Sequence, residues 1–342
     1  MTDQTNERKR QHIDIILADD QSDRDKHYFD AIRLKHRALP ELDLARIDTQ
    51  THILGKTLSF PLLISAMTGG DHQLLQRINR NLALAAEKAG VGLAVGSQRV
   101  LFTQPAAAKS FALRQIAPTA LLFANLGAVQ LNNGFGINEA RQVIKVLDAD
   151  ALCFHLNPLQ EAIQPEGNTD FSQLAEKIGR VAQKLDRPVV LKEVGCGFSE
   201  PDAELALQAG IRFIDIAGAG GLSWSRIEYQ RRSPNADCDL GLTFQDWGIP
   251  TPTCLKLLRP YLDRLTLFAS GGIRTGIDMA RALILGASLC GMASPFLRPA
   301  MESADAVLAA IEKIKLEFRT ALFLLGIGKA ADLHLNDALL LD

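Results

Sequence analysis

From about residue 61 onward, short continuous apolar runs alternate with longer amphipathic stretches. The runs cover 62–66, 91–95, 121–125, 151–155, 189–193, 213–217, 265–270 and 288–293. Continuous apolar runs are what a parallel sheet covered on both faces requires. Helical periodicity fills the gaps, as at 74–89, 171–185 and 203–209, and Gly90, Gly210 and Gly286 stand where a left-handed cap is wanted. Eight strands with about eight helices predict an α/β fold, a closed (β/α)8 TIM barrel. An open doubly wound sheet competes, but it has fewer strands and a GxGxxG turn after the first. Met67-Thr68-Gly69-Gly70 follows the first run without that spacing. Residues 1–60, richer in charge and His, are expected to cover an end of the barrel as an N-terminal extension, with the barrel at 61–342. The connection from 218 to about 250 is long enough for a lid, and Trp224 and Trp247 favour that role over disorder.

Composition narrows the class. The 342 residues are 47% hydrophobic and 22% charged, with a net charge of −2. Basic residues are scattered apart from Arg8-Lys9-Arg10 and Arg231-Arg232, so no broad face for nucleic acid exists. Short basic clusters suit a small anionic ligand instead. The five cysteines (Cys153, Cys196, Cys238, Cys254, Cys290) lack zinc-like spacing and read as reduced thiols. The N-terminus is polar, unlike a signal peptide, and no apolar stretch is long enough to span a bilayer. The expectation is a soluble cytoplasmic protein without a membrane or nucleic-acid partner.

In such barrels the chemistry sits at the C-terminal ends of the strands. The fourth run ends in His155-Leu156-Asn157-Pro158-Leu159-Gln160-Glu161, an imidazole, two amides and a carboxylate within one turn of chain. Glu161 suits a hard cation, and His155, Asn157 and Gln160 suit the oxygens around it. No Ser or Thr lies in the cluster, so it reads as a metal-assisted anion site that leaves the bond-changing step to another group. Lys192 ends an otherwise apolar strand and needs an anionic partner or a lost proton. Its neighbour Glu193 points to the opposite face, so the two should not meet. Ser270-Gly271-Gly272-Ile273-Arg274 after the seventh run, with Gly291–Ser294 around the end of the eighth, fits a phosphate cradle. Arg99 also stands at a strand end. Arg8, Lys9 and His12 form a solvated tail unless the extension folds over the mouth, and Glu228 by position reads as a surface charge.

Nine motifs in chain order resemble the type 2, FMN-dependent isopentenyl-diphosphate delta-isomerase family. They are Arg8-Lys9-xx-His12, His36-x-Ala38-Leu39-Pro40-Glu41, Met67-Thr68-Gly69-Gly70, Gly96-Ser97-Gln98-Arg99, Asn125, His155-x-Asn157-xx-Gln160-Glu161, Lys192-Glu193, Asp246-Trp247-Gly248-Ile249-Pro250-Thr251 and Ser270-Gly271-Gly272-Ile273-Arg274. The resemblance implies FMN reduced by NADPH or NADH, Mg²⁺, and interconversion of isopentenyl and dimethylallyl diphosphate with no net redox change. It places Ala66, Met67, Thr68, Ser97, Asn125 and Lys192 on FMN, with Lys192 stabilising negative charge on the reduced ring. Gly271, Gly272, Ile273, Arg274, Ala293 and Ser294 would hold the FMN phosphate. Arg8, Lys9, Ser97, Gln98, Arg99, His155 and Gln160 would grip the diphosphate, and Glu161 would bind Mg²⁺. Gln160 and Glu228 take a part in moving the second proton. A homo-oligomer, tetramer or octamer, is implied as well. The chain departs from the family at Ala217, where a hydroxyl residue is common, and at Leu222, where Thr is common. A flavin hydroxy-acid oxidase on the same fold is the runner-up, but it needs a late catalytic His, and none occurs between His155 and His334. The departures at Ala217 and Leu222 are the sole support for a third option, a non-catalytic flavin or phosphate binder.

Overall fold

The computed structural model describes residues 4–232 and 239–341; Cys238 lies outside them. A short antiparallel hairpin comes first, β1 (Thr51–Ile53) and β2 (Lys56–Leu58). Eight parallel strands follow: β3 (Leu62–Ile64), β4 (Gly92–Ala94), β5 (Leu122–Gly127), β6 (Ala151–Leu156), β7 (Val189–Glu193), β8 (Phe213–Asp215), β9 (Thr266–Ser270) and β10 (Ala287–Met292). They close into a barrel in chain order, with β10 paired to β3.

Period-two alternation splits each strand between two cores. Leu62, Ile64, Leu122 and Leu152 face the surrounding helices. Leu63, Phe123, Ala151, Val190, Phe268 and Leu289 fill the barrel interior. Ile53 and Leu58 of the hairpin pack on this inner set, and Lys56 pairs with Asp150, just ahead of β6. The hairpin therefore plugs the N-terminal end of the barrel, which leaves the opposite mouth for the site. Truncating a buried ring such as Phe268 would cost about 3–5 kcal/mol.

Each predicted strand is present, with shifted ends. The runs 62–66 and 213–217 leave the sheet at Ile64 and Asp215. In the second, Ala217 turns to a left-handed φ of 35°, which a ladder cannot accommodate. The helix expected at 171–185 is confined to Leu174–Ala182, because Asp170 caps Ser172 and Gln173 takes φ 53°. The helix over 74–89 runs Gln73–Ala89 and ends on Gly90 in the left-handed conformation. Within 218–250 the chain forms the helices Trp224–Arg231 and Leu240–Thr243, and its ends meet in the Ala219–Pro250 bridge. The N-terminal helix Gln4–Ala18 packs on Trp224–Arg231 at the mouth. The extension thus reaches both ends of the barrel. No helix among the described residues is long and apolar enough to cross a membrane.

Candidate active site

The inward-facing parity that carries Phe123, Ala151, Val190 and Phe268 continues up the strands to Asn125, His155, Lys192, Asp215 and Ser270. Apolar filling gives way here to polar groups that satisfy one another. His155 stands beside Lys192 in the β6–β7 register, and Lys192 beside Asp215 in the β7–β8 register. Lys192 Nζ donates to Asp215 Oδ2 at 2.7 Å and to Ser270 Oγ at 3.0 Å. Ser270 Oγ in turn donates to Asp215 Oδ1 at 2.6 Å. His155 Nδ1 lies 2.7 Å from Asn125 Oδ1, and burial, with Lys192 nearby, pushes its imidazole down to about 4. His155 is therefore neutral at physiological pH. Glu193 turns to the outer face, where its carboxylate accepts from the backbone N–H groups of Val194, Gly195, Cys196 and Gly197. Burial outweighs these donors and lifts it to about 7.

A second layer lines one side of the mouth. Glu161 accepts from Asn157 Nδ2 at 3.0 Å, Gln164 Nε2 at 2.6 Å and the Asn168 N–H at 2.6 Å. Gln160 Oε1 accepts from Asn157, and Gln160 Nε2 donates to Glu228 Oε1 at 2.9 Å. Glu228 is no surface charge. It is fully buried because the helix Trp224–Arg231 packs beneath the N-terminal helix, and it binds His12 Nε2 at 2.9 Å and Arg231. Burial alone would raise its carboxyl, but the bond to His12, with Gln160 and Arg231, holds it below the usual range. The N-terminal helix brings Arg8 and Lys9 to the same rim, where Lys9 Nζ donates to the Ser97 carbonyl at 2.8 Å. Burial, then the charge of Arg8, pushes the Arg99 guanidinium down from its ordinary value. Arg8 also pairs with Glu166 at 3.5 Å, so the rim is a cluster of cations only partly offset by acids, a seat for an anion.

The opposite side is built from glycine. Gly271 and Gly272 adopt φ of 90° and 81°, and a Cβ on Gly271 would lie 2.1 Å from the Gly218 carbonyl. Thr251 Oγ1 ties this turn down through the carbonyls of Ser270 and Gly271. Ser294 opens the helix Ser294–Glu302, so free N–H groups and the helix dipole point at the cradle. Arg274 and Ser294 both donate to Asp23 of the extension, Ser294 at 3.0 Å.

Ala66, Met67, Ser97, Arg99, Asn125, His155, Gln160, Glu161, Lys192, Gly271, Gly272, Ile273, Arg274, Ala293, Ser294, Arg8 and Lys9 all line one cleft. Three residues expected at the site lie outside its lining. Gln98 is fully buried and commits its amide to the Val143 carbonyl and the Asn125 N–H, because it opens the 3-10 turn Gln98–Phe102 instead of ending a strand. Thr68 is buried behind Met67, and Glu228 stands one hydrogen bond behind Gln160. Asp215, Asp23 and Ser65 are the groups that sequence reasoning missed. Asp215 carried a legible signal, a charge in an apolar run, the same one that marked Lys192.

The match to known proteins is extensive. The FMN-dependent dehydrogenase family matches residues 5–115 and 130–339. Isopentenyl-diphosphate delta-isomerase from Hydrogenovibrio crunogenus is 54% identical over 334 residues, covering 98% of this chain and 97% of that protein. The one from Paracoccus zeaxanthinifaciens is 56% identical over 337 residues, covering 97% and 96%. The chain belongs to the isopentenyl-diphosphate delta-isomerase family. Among solved structures, a flavocytochrome b2 variant with sulfite bound aligns at TM-score 0.66 and 20% identity, covering 91% of this chain and 76% of that one. A mandelate oxidase variant carrying an FMN adduct aligns at 0.62 and 19%, covering 90% and 87%. At that identity these share the fold with the isomerase family member, and nothing finer follows.

Buried oxygens test whether the cleft suits the groups that this family membership brings to mind. Ser65 Oγ, Thr68 Oγ1 and Asn157 Oδ1 are buried without a hydrogen-bond partner. Buried polar atoms are normally satisfied, so such orphans mark where a ligand would complete the site. Ser65 lines the glycine side of the cleft, against Gly291, and fits a cofactor seated there. Asn157 donates to Glu161 through Nδ2 and keeps an unpartnered Oδ1, an oxygen of the kind a hard cation takes. No group of three His, Cys, Asp or Glu side chains that could hold a metal occurs among the described residues. A site centred on the Glu161 carboxylate would suit Mg²⁺, an ion that keeps its waters and shares substrate phosphates.

Proposed function

We propose that the protein interconverts isopentenyl and dimethylallyl diphosphate by adding a proton at one end of the allylic system and removing one from the other, with FMN and Mg²⁺. One observation carries this reading: a single cleft has an anion seat on each side and a polar floor between them. FMN bound there and kept reduced by NADPH or NADH would supply the acid–base chemistry, while the protein positions it and the substrate. The turn Gly271–Arg274, with Ala293 and the N-terminus at Ser294, holds its phosphate. Ala66, Met67, Ser97, Asn125 and Lys192 contact the rest, with Thr68 reaching it from behind.

Arg8, Lys9, Ser97, Arg99, His155 and Gln160 bind the substrate diphosphate, and Glu161 holds Mg²⁺ against it. Lys9 and the helix that carries it also cover the mouth and exclude water. Glu228 is ionised at neutral pH, so it accepts a proton in preference to donating one. Gln160 stands between Glu228 and the cleft and is the group that would pass that proton. The active form is a homo-oligomer, a tetramer or octamer, in the cytoplasm.

Anaerobic turnover of isopentenyl diphosphate by FMN-loaded, reduced protein tests the proposal. Product should form with Mg²⁺ and stop on adding EDTA. Absence of product under reducing conditions with Mg²⁺ present rejects it.

A further inference from the structure

Lys192 never faces the cleft as a bare cation. Its ammonium has three N–H donors. Asp215 Oδ2 takes one at 2.7 Å and Ser270 Oγ another at 3.0 Å, which leaves a single donor for the cleft. Ser270 gives its own proton to Asp215 Oδ1 at 2.6 Å, so the hydroxyl must accept from Lys192 and the triangle has one sense. Asp215 Oδ1 also accepts from the Ala217 N–H at 3.3 Å. Asp215 is only 2% exposed, so water does little to screen its charge from Lys192. Strand register sets the contact, since the two Cα atoms are paired across β7 and β8.

We propose that Asp215 is a positioning residue that cancels the Lys192 charge and, with Ser270, aims its third N–H at the flavin. The inference rests on the reading of the cleft as an FMN site. It differs from the view that Lys192 stabilises the reduced ring as a net positive charge. A paired ammonium gives the ring a hydrogen bond, and nearly the same one in its oxidised and reduced forms.

The flavin midpoint potential tests this, measured on FMN-loaded protein against a reference dye. Asp215→Asn leaves Lys192 uncompensated and should favour reduced over oxidised FMN by at least tenfold, a rise of about 30 mV for a two-electron couple. Lys192→Met should shift the potential by a similar amount in the opposite direction, because Asp215 is then left alone. The double variant Lys192→Met/Asp215→Asn removes one charge of each sign and should return within threefold of wild type. It also keeps the test open if either single variant fails to fold. A change below threefold or a fall in Asp215→Asn overturns the proposal. A double variant as displaced as Lys192→Met overturns it too, since Lys192 would then act as a bare charge. Wild-type protein that takes up no FMN would instead remove the reading of the cleft, and this inference with it.

Discussion

Lowering the pH should strain the molecule at His155 before most of its carboxylates respond. In the folded chain this imidazole is held down to about 4 by burial and by Lys192, Arg8 and Lys9, against 6.5 for a free one. Asn125 Oδ1 faces Nδ1, so the neutral ring carries its proton there and turns an unprotonated Nε2 away from Asn125. The unfolded chain takes up a proton at His155 that the folded chain refuses. Stability from this group is therefore complete above pH 6.5, declines as pH falls, and is gone near pH 4. At about 1.4 kcal/mol for each tenfold difference in proton affinity, the loss is about 3 kcal/mol. His155→Gln keeps a partner for Asn125 and removes the titration. Urea unfolding of both proteins, followed by circular dichroism at steps from pH 7.5 to 4.5, isolates the effect as a difference. The variant's deficit at pH 7.5 should shrink steadily and move by about 2–3 kcal/mol in its favour across the window. A difference constant to within about 0.5 kcal/mol would refute the claim that His155 is kept neutral by its surroundings. Inorganic pyrophosphate should then bind with uptake of a proton, because an anion beside the ring relieves the repulsion from Arg8 and Lys9.

Three other outcomes follow from the same geometry. Gly271→Ala puts a Cβ 2.1 Å from the Gly218 carbonyl at φ 90°, so FMN titration by fluorescence quenching should show at least tenfold weaker binding. Ala217→Ser returns a hydroxyl to the cleft lining; a net bond of about 1 kcal/mol would tighten FMN about fivefold by the same titration. Glu228→Ala strips His12, Gln160 and Arg231 of their shared acceptor and should lower unfolding free energy in urea by about 3–5 kcal/mol, whereas Glu228→Gln should cost visibly less.

The barrel was legible because both faces of a parallel sheet are covered, so every strand prints itself as an apolar run. Strand ends were less so: Ala66 and Ala217 extend their runs in composition but have already left the ladder for the mouth. Lys192 stood out as a charge in such a run, and so should Asp215. Their meeting, however, depends on a register between strands 23 residues apart, which period alone does not fix. Gln98 looked like a strand-end ligand because sequence gives its place but not the direction its turn imposes. Glu228 looked exposed because its burial comes from a helix more than 200 residues earlier in the chain. Asp23 gave no signal, since an acid in a polar segment is ordinary until its partners arrive.

Those partners arrive late. Arg274 and Ser294 lie 251 and 271 residues beyond Asp23, and β10, which ends just before Ser294, must also close on β3. A ribosome delivers the near side of this seat more than 250 residues before the far side. Contacts of such separation form only after the loop-closure entropy of about three quarters of these 342 residues has been met. FMN bound at the cradle would consequently discriminate between a finished barrel and any shortened or unclosed one. Flavin colour in a preparation would then count molecules in which β3 and β10 have found each other, a measure of folding completeness that needs no activity assay.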